Sequence, residues 1–118
     1  MIVVQHVGLE VTRTAAGQEV EFWALLGFSE VPASASLVGR ARWVEREGFQ
    51  VHLLFEDSPV VPPAAHVAVV AADYDAVIAR LRAAGHAAEP RAAHWGAPRT
   101  QVHTPAGHRV ELMAAPPG

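Results

Sequence analysis

Cysteine and lysine are both missing from this chain of 118 residues. Without cysteine there is no disulfide, thiolate nucleophile, zinc-thiolate site or thiolate-held iron–sulfur cluster. Without lysine there is no Schiff-base chemistry. The nine cationic residues are therefore all arginine, scattered along the chain, and the net charge is −3 with histidine neutral. No basic cluster is available for a phosphate backbone, so nucleic acid is not expected as a partner. Nowhere do eighteen apolar residues run together, and no membrane association is expected. The opening MIVVQHVGLEV has neither a basic n-region nor a long apolar core, so secretion is not expected and the cytoplasm is the expected location. Aromatic residues are few, at 7%, but a hydrophobic content of 51% is enough for one core-bearing domain over residues 1–118.

What the chain does contain is a repeat. His6 opens HVGLEV and His66 opens HVAVVA, 60 residues later; His52 and Glu111 stand 59 apart, as do Gly48 and Gly107. The two opening runs have strand character. In GQEVEFWALLGF, Val20, Trp23 and Leu26 recur at helical spacing, and Gly27 falls where a left-handed cap would sit. In DYDAVIARLRAAGH, Asp73 is the expected N-cap, Val77, Ile78 and Leu81 the buried stripe, and Gly85 the cap. Short strands follow at about 28–32, 37–46 and 49–55, then at about 87–91, 99–104 and 108–114. The pattern is β-α-β-β-β written twice, an α+β fold with modules at about 1–57 and 64–115. Residues 56–65, with three prolines, read as the connector. Neither module is large enough for much core of its own, so the sheets are expected to pack together or onto a second copy, and two equivalent sheets side by side are expected to curve around a shared concave cavity.

Strand alternation sorts the side chains. Val51, Leu53 and Phe55 share one face, and Gln50, His52 and Leu54 the other. Val110 and Leu112 oppose Arg109, Glu111 and Met113. Val7, Leu9 and Val11 oppose His6, Gly8 and Glu10, and Val67 and Val69 oppose His66 and Ala68. If the helices cover the apolar faces, then His6, His52, His66 and Glu111 all point away from them. Three imidazoles and one carboxylate are a divalent-metal donor set, and on a six-coordinate ion they leave two neighbouring positions for water or for two substrate oxygens.

These residues resemble the vicinal oxygen chelate superfamily of glyoxalase I, type I extradiol dioxygenases, methylmalonyl-CoA epimerase, fosfomycin-resistance enzymes and bleomycin-resistance proteins. The carriers are HVGLEV at 6–11, FWALLGFSEV at 22–31, GFQVHLL at 48–54, HVAVVA at 66–71, HWG at 94–96 and TPAGHRVELM at 104–113. The last looks like the family's D-P-x-G-x-x-x-E-L signature, with Thr104 in place of Asp. The resemblance implies a glyoxalase / bleomycin-resistance / dihydroxybiphenyl dioxygenase-like fold. It also implies metal ligands from the first and last strand of each module, here His6, His52, His66 and Glu111, of which His6, His66 and Glu111 are similar to a two-His-one-carboxylate set. His52 stands where glyoxalase I has Glu, and no Arg follows His6 in HVGLEV, which points away from a glutathione hemithioacetal. The missing lysine separates the chain from the fosfomycin-resistance enzymes. Bleomycin-resistance members lack the ligands, all of which have plausible occupants here.

The expected chemistry is that of a lyase, isomerase or dioxygenase acting on a small substrate held through vicinal oxygens by Zn, Ni, Fe, Co or Mn. Glu111 is the first candidate for moving a proton and Glu10 the second. Gln50, Arg99, His103 and Arg109 are expected around the substrate, with Trp43, Trp95 and Phe22 as apolar wall. His86 and His108 read as surface or turn histidines, and His94 as a loop residue. The alternative is a metal-free protein that binds an antibiotic or other aromatic small molecule between Trp43 and Trp95. Superfamily precedent implies a homodimer, in which the ligands could come from both chains.

Overall fold

A computed structural model describes all 118 residues, Met1–Gly118. In chain order the elements are β1 (His6–Val11), α1 (Ala16–Leu25), β2 (Ser29–Val31), β3 (Ala41–Arg46), β4 (Phe49–Phe55), β5 (His66–Val70), α2 (Tyr74–Ala83), β6 (Glu89–Arg91), β7 (Arg99–His103) and β8 (Arg109–Met113). This is the β-α-β-β-β pattern twice, in two compact units, Met1–Val61 and Pro62–Gly118. Each unit holds one four-stranded sheet, ordered β1-β4-β3-β2 and β5-β8-β7-β6. In each, the opening strand runs parallel to the closing one and the other two pairings are antiparallel. A strand that leaves through a helix returns parallel, whereas hairpins make antiparallel neighbours.

Both helices end the same way, for a physical reason visible in the sequence. Gly27 takes φ +88° and Gly85 φ +90°, a conformation that costs an L-residue its Cβ clearance. Gly27 N–H donates to Ala24 O and Phe28 N–H to Trp23 O; Gly85 N–H donates to Arg82 O and His86 N–H to Leu81 O, all at 3.0 Å. These are Schellman closures, and in the first the Phe28 ring also meets the Trp23 ring edge-on, centroids 5.2 Å apart. The start of α2 departs from expectation. Asp73 occupies the N-cap position but makes no side-chain capping bond, and its carboxylate instead faces Arg80 at 3.5 Å.

The core of the first unit holds Phe22, Trp23, Val44, Val51 and Leu53, each 1% exposed or less. Val20 is only half-buried, and the buried stripe of α1 runs through Ala16, Glu19 and Phe22–Trp23 instead. In the second unit Val77, Ile78 and Leu81 of α2 are buried, as are Val102, Val110 and Leu112 of the sheet. A hydrogen bond between the Tyr74 hydroxyl and Thr100 Oγ1 ties α2 to β7.

One strand is shorter than its sequence suggests. Residues Ala35–Leu37 form a single 3₁₀ turn, Arg40 N–H closes back on Leu37 O, and Gly39 takes φ +86°, so β3 starts at Ala41. Between β3 and β4 both turn residues have positive φ, Glu47 at 52° and Gly48 at 83°. A two-residue turn of this hand matches the twist of a hairpin and fixes its register. Counting outward from it, Arg46 faces Phe49, Glu45 faces Gln50 and Trp43 faces His52.

Candidate functional site

In the first unit the side chains that alternate with the core build a column of flat rings. Trp43 of β3 lies on His52 of β4, centroids 4.0 Å apart and planes 3° from parallel. His52 in turn lies on His6 of β1, at 4.0 Å and 12°. The hairpin register puts Trp43 opposite His52, and the parallel pairing of β1 with β4 puts Gly8, two residues past His6, beside the same His52. His52 is 8% exposed while His6 is open to solvent. Burial in this column, reinforced by the neighbouring His6 charge, pushes the His52 imidazole below its ordinary value. The Trp43 indole Nε1 is buried and has no acceptor.

Hydrogen bonds at the edges of these rings assign their protons. Gln50 Nε2 donates to Glu45 Oε1 at 2.8 Å, which turns Gln50 Oε1 toward His52 Nε2, also at 2.8 Å. A carboxamide oxygen only accepts, so His52 carries its proton on Nε2 and keeps its lone pair on Nδ1. His6 Nδ1 lies 2.7 Å from Gln5 Oε1, and by the same logic His6 keeps its lone pair on Nε2. The two stacked imidazoles therefore hold opposite tautomers.

In the second unit the corresponding face carries charge. Glu111 of β8 is nearly enclosed, with its side chain 13% exposed; Oε1 accepts from Arg99 Nη1 at 3.2 Å and Oε2 faces His66 Nε2 at 3.3 Å. His66 Nδ1 donates to Ala64 O at 2.9 Å, so in the neutral ring Nε2 is a bare lone pair pointed at a carboxylate oxygen. Arg99 also donates from Nε to Ala92 O at 2.6 Å, and its guanidinium lies 5.8 Å from the Trp95 ring centroid. Trp95 Nε1 donates to Ala115 O at 3.0 Å. Arg109 stands opposite the exposed His103 across β7–β8, and its Nε is buried without a partner.

The remaining expected residues fall in varied places. Glu10 is part-buried on β1, and its Oε1 accepts from Val60 N–H at 3.1 Å, tying down the connector. Phe22 belongs to the core rather than to an open wall, at 1% exposure and edge-on to Trp23. His94 is exposed in a turn and His86 is half-buried behind the Gly85 cap. His108, read as a surface or turn histidine, does close a turn but is only 4% exposed, because the turn before β8 folds it inward: its N–H donates to Thr104 Oγ1 at 3.1 Å and its carbonyl accepts from Thr104 N–H at 2.8 Å. A short oxygen-bearing side chain at 104 is what this turn needs, and threonine supplies it where the signature has aspartate.

The donor chemistry suits a divalent cation unequally across the four candidates. Two neighbouring donors each ~2.1 Å from one ion lie about 3 Å apart, close to the 3.3 Å between His66 Nε2 and Glu111 Oε2. A ligating imidazole that gives its other N–H to a backbone carbonyl, as His66 does, is held in the ligating tautomer. His6 keeps Nε2 free in the same way. His52 differs, because its Nε2–H is committed to Gln50. Two rings lying flat on one another also direct their lone pairs along near-parallel planes, so an ion in the plane of one lies out of the plane of the other. Within the single chain no group of three or more His, Asp or Glu side chains is gathered as a ready metal site; the structure displays two pairs, one in each unit.

No protein-family model and no curated protein matches the sequence. Solved structures do match in fold. A protein described as of the glyoxalase family from Bacillus anthracis superposes with a TM-score of 0.87 at 22% identity, covering 96% of this chain and 94% of that one. The oxidase ChaP-H2 gives 0.79 at 20% identity over 99% and 96% of the two chains. A fosfomycin resistance protein from Listeria monocytogenes, complexed with Mn(II) and 1S,2S-dihydroxypropylphosphonic acid, gives 0.75 at 18% identity over 98% and 95%. At these identities the likeness establishes the fold, which is the α+β fold of the vicinal oxygen chelate proteins.

Proposed function

From a chain with this fold, we propose a metal-dependent enzyme of the glyoxalase type that acts on a small molecule chelated through vicinal oxygens, by a lyase, isomerase or dioxygenase reaction. The observation that carries the reading is the meeting of His66 and Glu111. A lone pair on Nε2, fixed by the Ala64 carbonyl, faces a carboxylate oxygen at 3.3 Å, an arrangement that calls for a positive charge between or upon them. The fold neighbour complexed with Mn(II) and 1S,2S-dihydroxypropylphosphonic acid, a vicinal diol, supports the same chemistry.

The proposed donors are His6, His66 and Glu111, with His52 as the fourth candidate, in a site built within one chain or across a homodimer. A divalent ion bound to them supplies Lewis acidity toward two adjacent substrate oxygens. Arg99 holds Glu111 by its Oε1 and keeps Oε2 aimed at His66. Glu111 is the proposed proton carrier, with Glu10 the second candidate. Arg109, whose Nε has no partner in the protein, and His103 beside it are proposed to meet the polar end of the substrate. Gln50, Trp43 and Trp95 are proposed as further substrate contacts. A cytoplasmic location is part of the proposal, and no helix is long and apolar enough to cross a membrane.

The test is metal analysis of untagged protein alongside Glu111→Ala and His6→Ala. Near-stoichiometric metal in the wild type that disappears from both variants is expected. Wild-type protein free of metal but binding an aromatic antibiotic tightly would overturn the enzyme in favour of a sequestering protein. Mixing the two variants addresses the dimer, since a site shared between chains recovers one intact copy in the heterodimer and a site within one chain recovers none.

A further inference from the structure

His52 is one of four candidate donors, yet its surroundings in the first unit suit a different task. Its ring is clamped on one side by Trp43 and covers His6 on the other. Its Nε2–H is committed to Gln50, whose carboxamide is in turn oriented by Glu45. Every restraint on it is internal to the sheet, and all come from residues placed by the Glu47–Gly48 hairpin. His6 is the opposite case. It is exposed, it hydrogen-bonds to the exposed Gln5 beside it in sequence, and rotation about its ring torsion is otherwise soft. The flat face of His52 is the buried surface against which that ring rests.

We propose that His52 is a positioning residue, locked by the Glu45–Gln50 hydrogen-bond chain and by Trp43, which sets the ring plane of His6 by stacking on it, and so keeps His6 Nδ1 at Gln5 Oε1, instead of ligating the ion itself. The proposal rests on the metal reading of His6 above. It assigns Glu45, Gln50 and Trp43 to the support of one ligand, and explains why an imidazole rather than a carboxylate suits position 52. A carboxylate there has no ring to lay on His6 and no N–H to give Gln50.

Phenylalanine and alanine at position 52 separate the roles, since the first keeps a flat ring without a donor nitrogen. With Co(II) as probe, titrated into untagged protein and followed by its absorption, His52→Phe is expected to bind within about threefold of wild type. His52→Ala is expected to weaken binding by about 10-fold or more, as loss of a ligand's support does. Equal losses in both variants would show that His52 is a ligand and overturn the proposal. Nitrogen-15 spectra of the histidine rings in metal-free protein give a second readout. Wild type should show His52 protonated at Nε2 and His6 at Nδ1. His52→Phe should leave the His6 signals in place, His52→Ala should mix the His6 tautomers, and Gln50→Leu should release the His52 tautomer. His52 protonated at Nδ1 in wild type, or His6 unchanged in His52→Ala, would also overturn it. If wild type takes up no Co(II), the metal reading fails, and the metal-free spectra alone decide whether His52 orders His6.

Discussion

Position 52 in the first unit and position 111 in the second are the same place in the same strand of equivalent sheets, and each gathers a different company. The imidazole at 52 draws rings and a carboxamide, giving a column of Trp43, His52 and His6 held by neutral hydrogen bonds. The carboxylate at 111 draws cations, with Arg99 on one oxygen and His66 on the other. The backbone is indifferent to the exchange, because sheet order and register are set by turns and by the apolar face. Duplication thus leaves one half free to become a rigid support while the other keeps the charge.

The comparison is broken most forcefully at the cores. Trp23→Ala should cost about 3–5 kcal/mol and Leu81→Ala about 2–5 kcal/mol in urea unfolding. The first is expected to be the larger, since Trp23 also loses its edge-on contacts with Phe22 and Phe28. A smaller loss for Trp23→Ala would mean that the first unit relaxes around the gap.

The helix caps give a sharper pairing. Alanine at either Gly27 or Gly85 meets a positive φ costing about 1–2 kcal/mol. At Gly85 a new Cβ has nothing within 4 Å, whereas at Gly27 it would stand 2.6 Å from Arg46 Nη1. That guanidinium donates to Leu26 O at 2.6 Å and would have to swing away. Gly27→Ala should therefore be the more destabilising by about 1 kcal/mol in thermal or urea unfolding, and Arg46→Ala should erase the difference.

Acid affects the ring column through His52. Its folded-state value lies below the ordinary one, so between the two the unfolded chain binds more protons and stability rises with pH. The contribution is complete above the ordinary histidine value, near pH 6.5, and declines as pH falls below it toward the folded value. Urea midpoints measured from pH 7.5 to 5 should drop less steeply in His52→Phe than in wild type. An equal slope would place the proton uptake elsewhere.

The smallest effect is expected at Trp43→Phe. The variant keeps a ring on His52 and removes an indole N–H that finds no acceptor, so stability should change by less than about 1 kcal/mol in either direction. A loss well beyond that would show that the indole's extra area matters to the column.

Much of this was legible in the sequence, and the reasons differ residue by residue. Gly27 and Gly85 announced the helix ends because few residues tolerate the left-handed closure. Strand alternation separated Val51 and Leu53 from His52, and Val110 and Leu112 from Glu111, because period two is a property of the pleat itself. Less visible was the burial of Glu19 and His108, since a pattern read on hydrophobicity passes over polar residues that go inward. The start of β3 was misread because β-branched and apolar residues at 37–38 look like strand until Gly39 turns the chain. The Glu45–Gln50–His52 chain left a usable signal. The Glu47–Gly48 turn, counted outward in pairs, sets Glu45 against Gln50 and Trp43 against His52. Side-chain partners such as Ala64 O for His66 depend on how a loop carbonyl happens to point, and no local pattern encodes that.

The two-residue bend at Glu47 and Gly48 is also a ruler for what this protein can become. One extra residue there would invert the parity of β3, burying Trp43 toward the helix and turning Val44 out to water. Substitutions on the ring-bearing face leave that count untouched. A change of side chain on that face therefore spares the fold, whereas a change in the length of that bend does not.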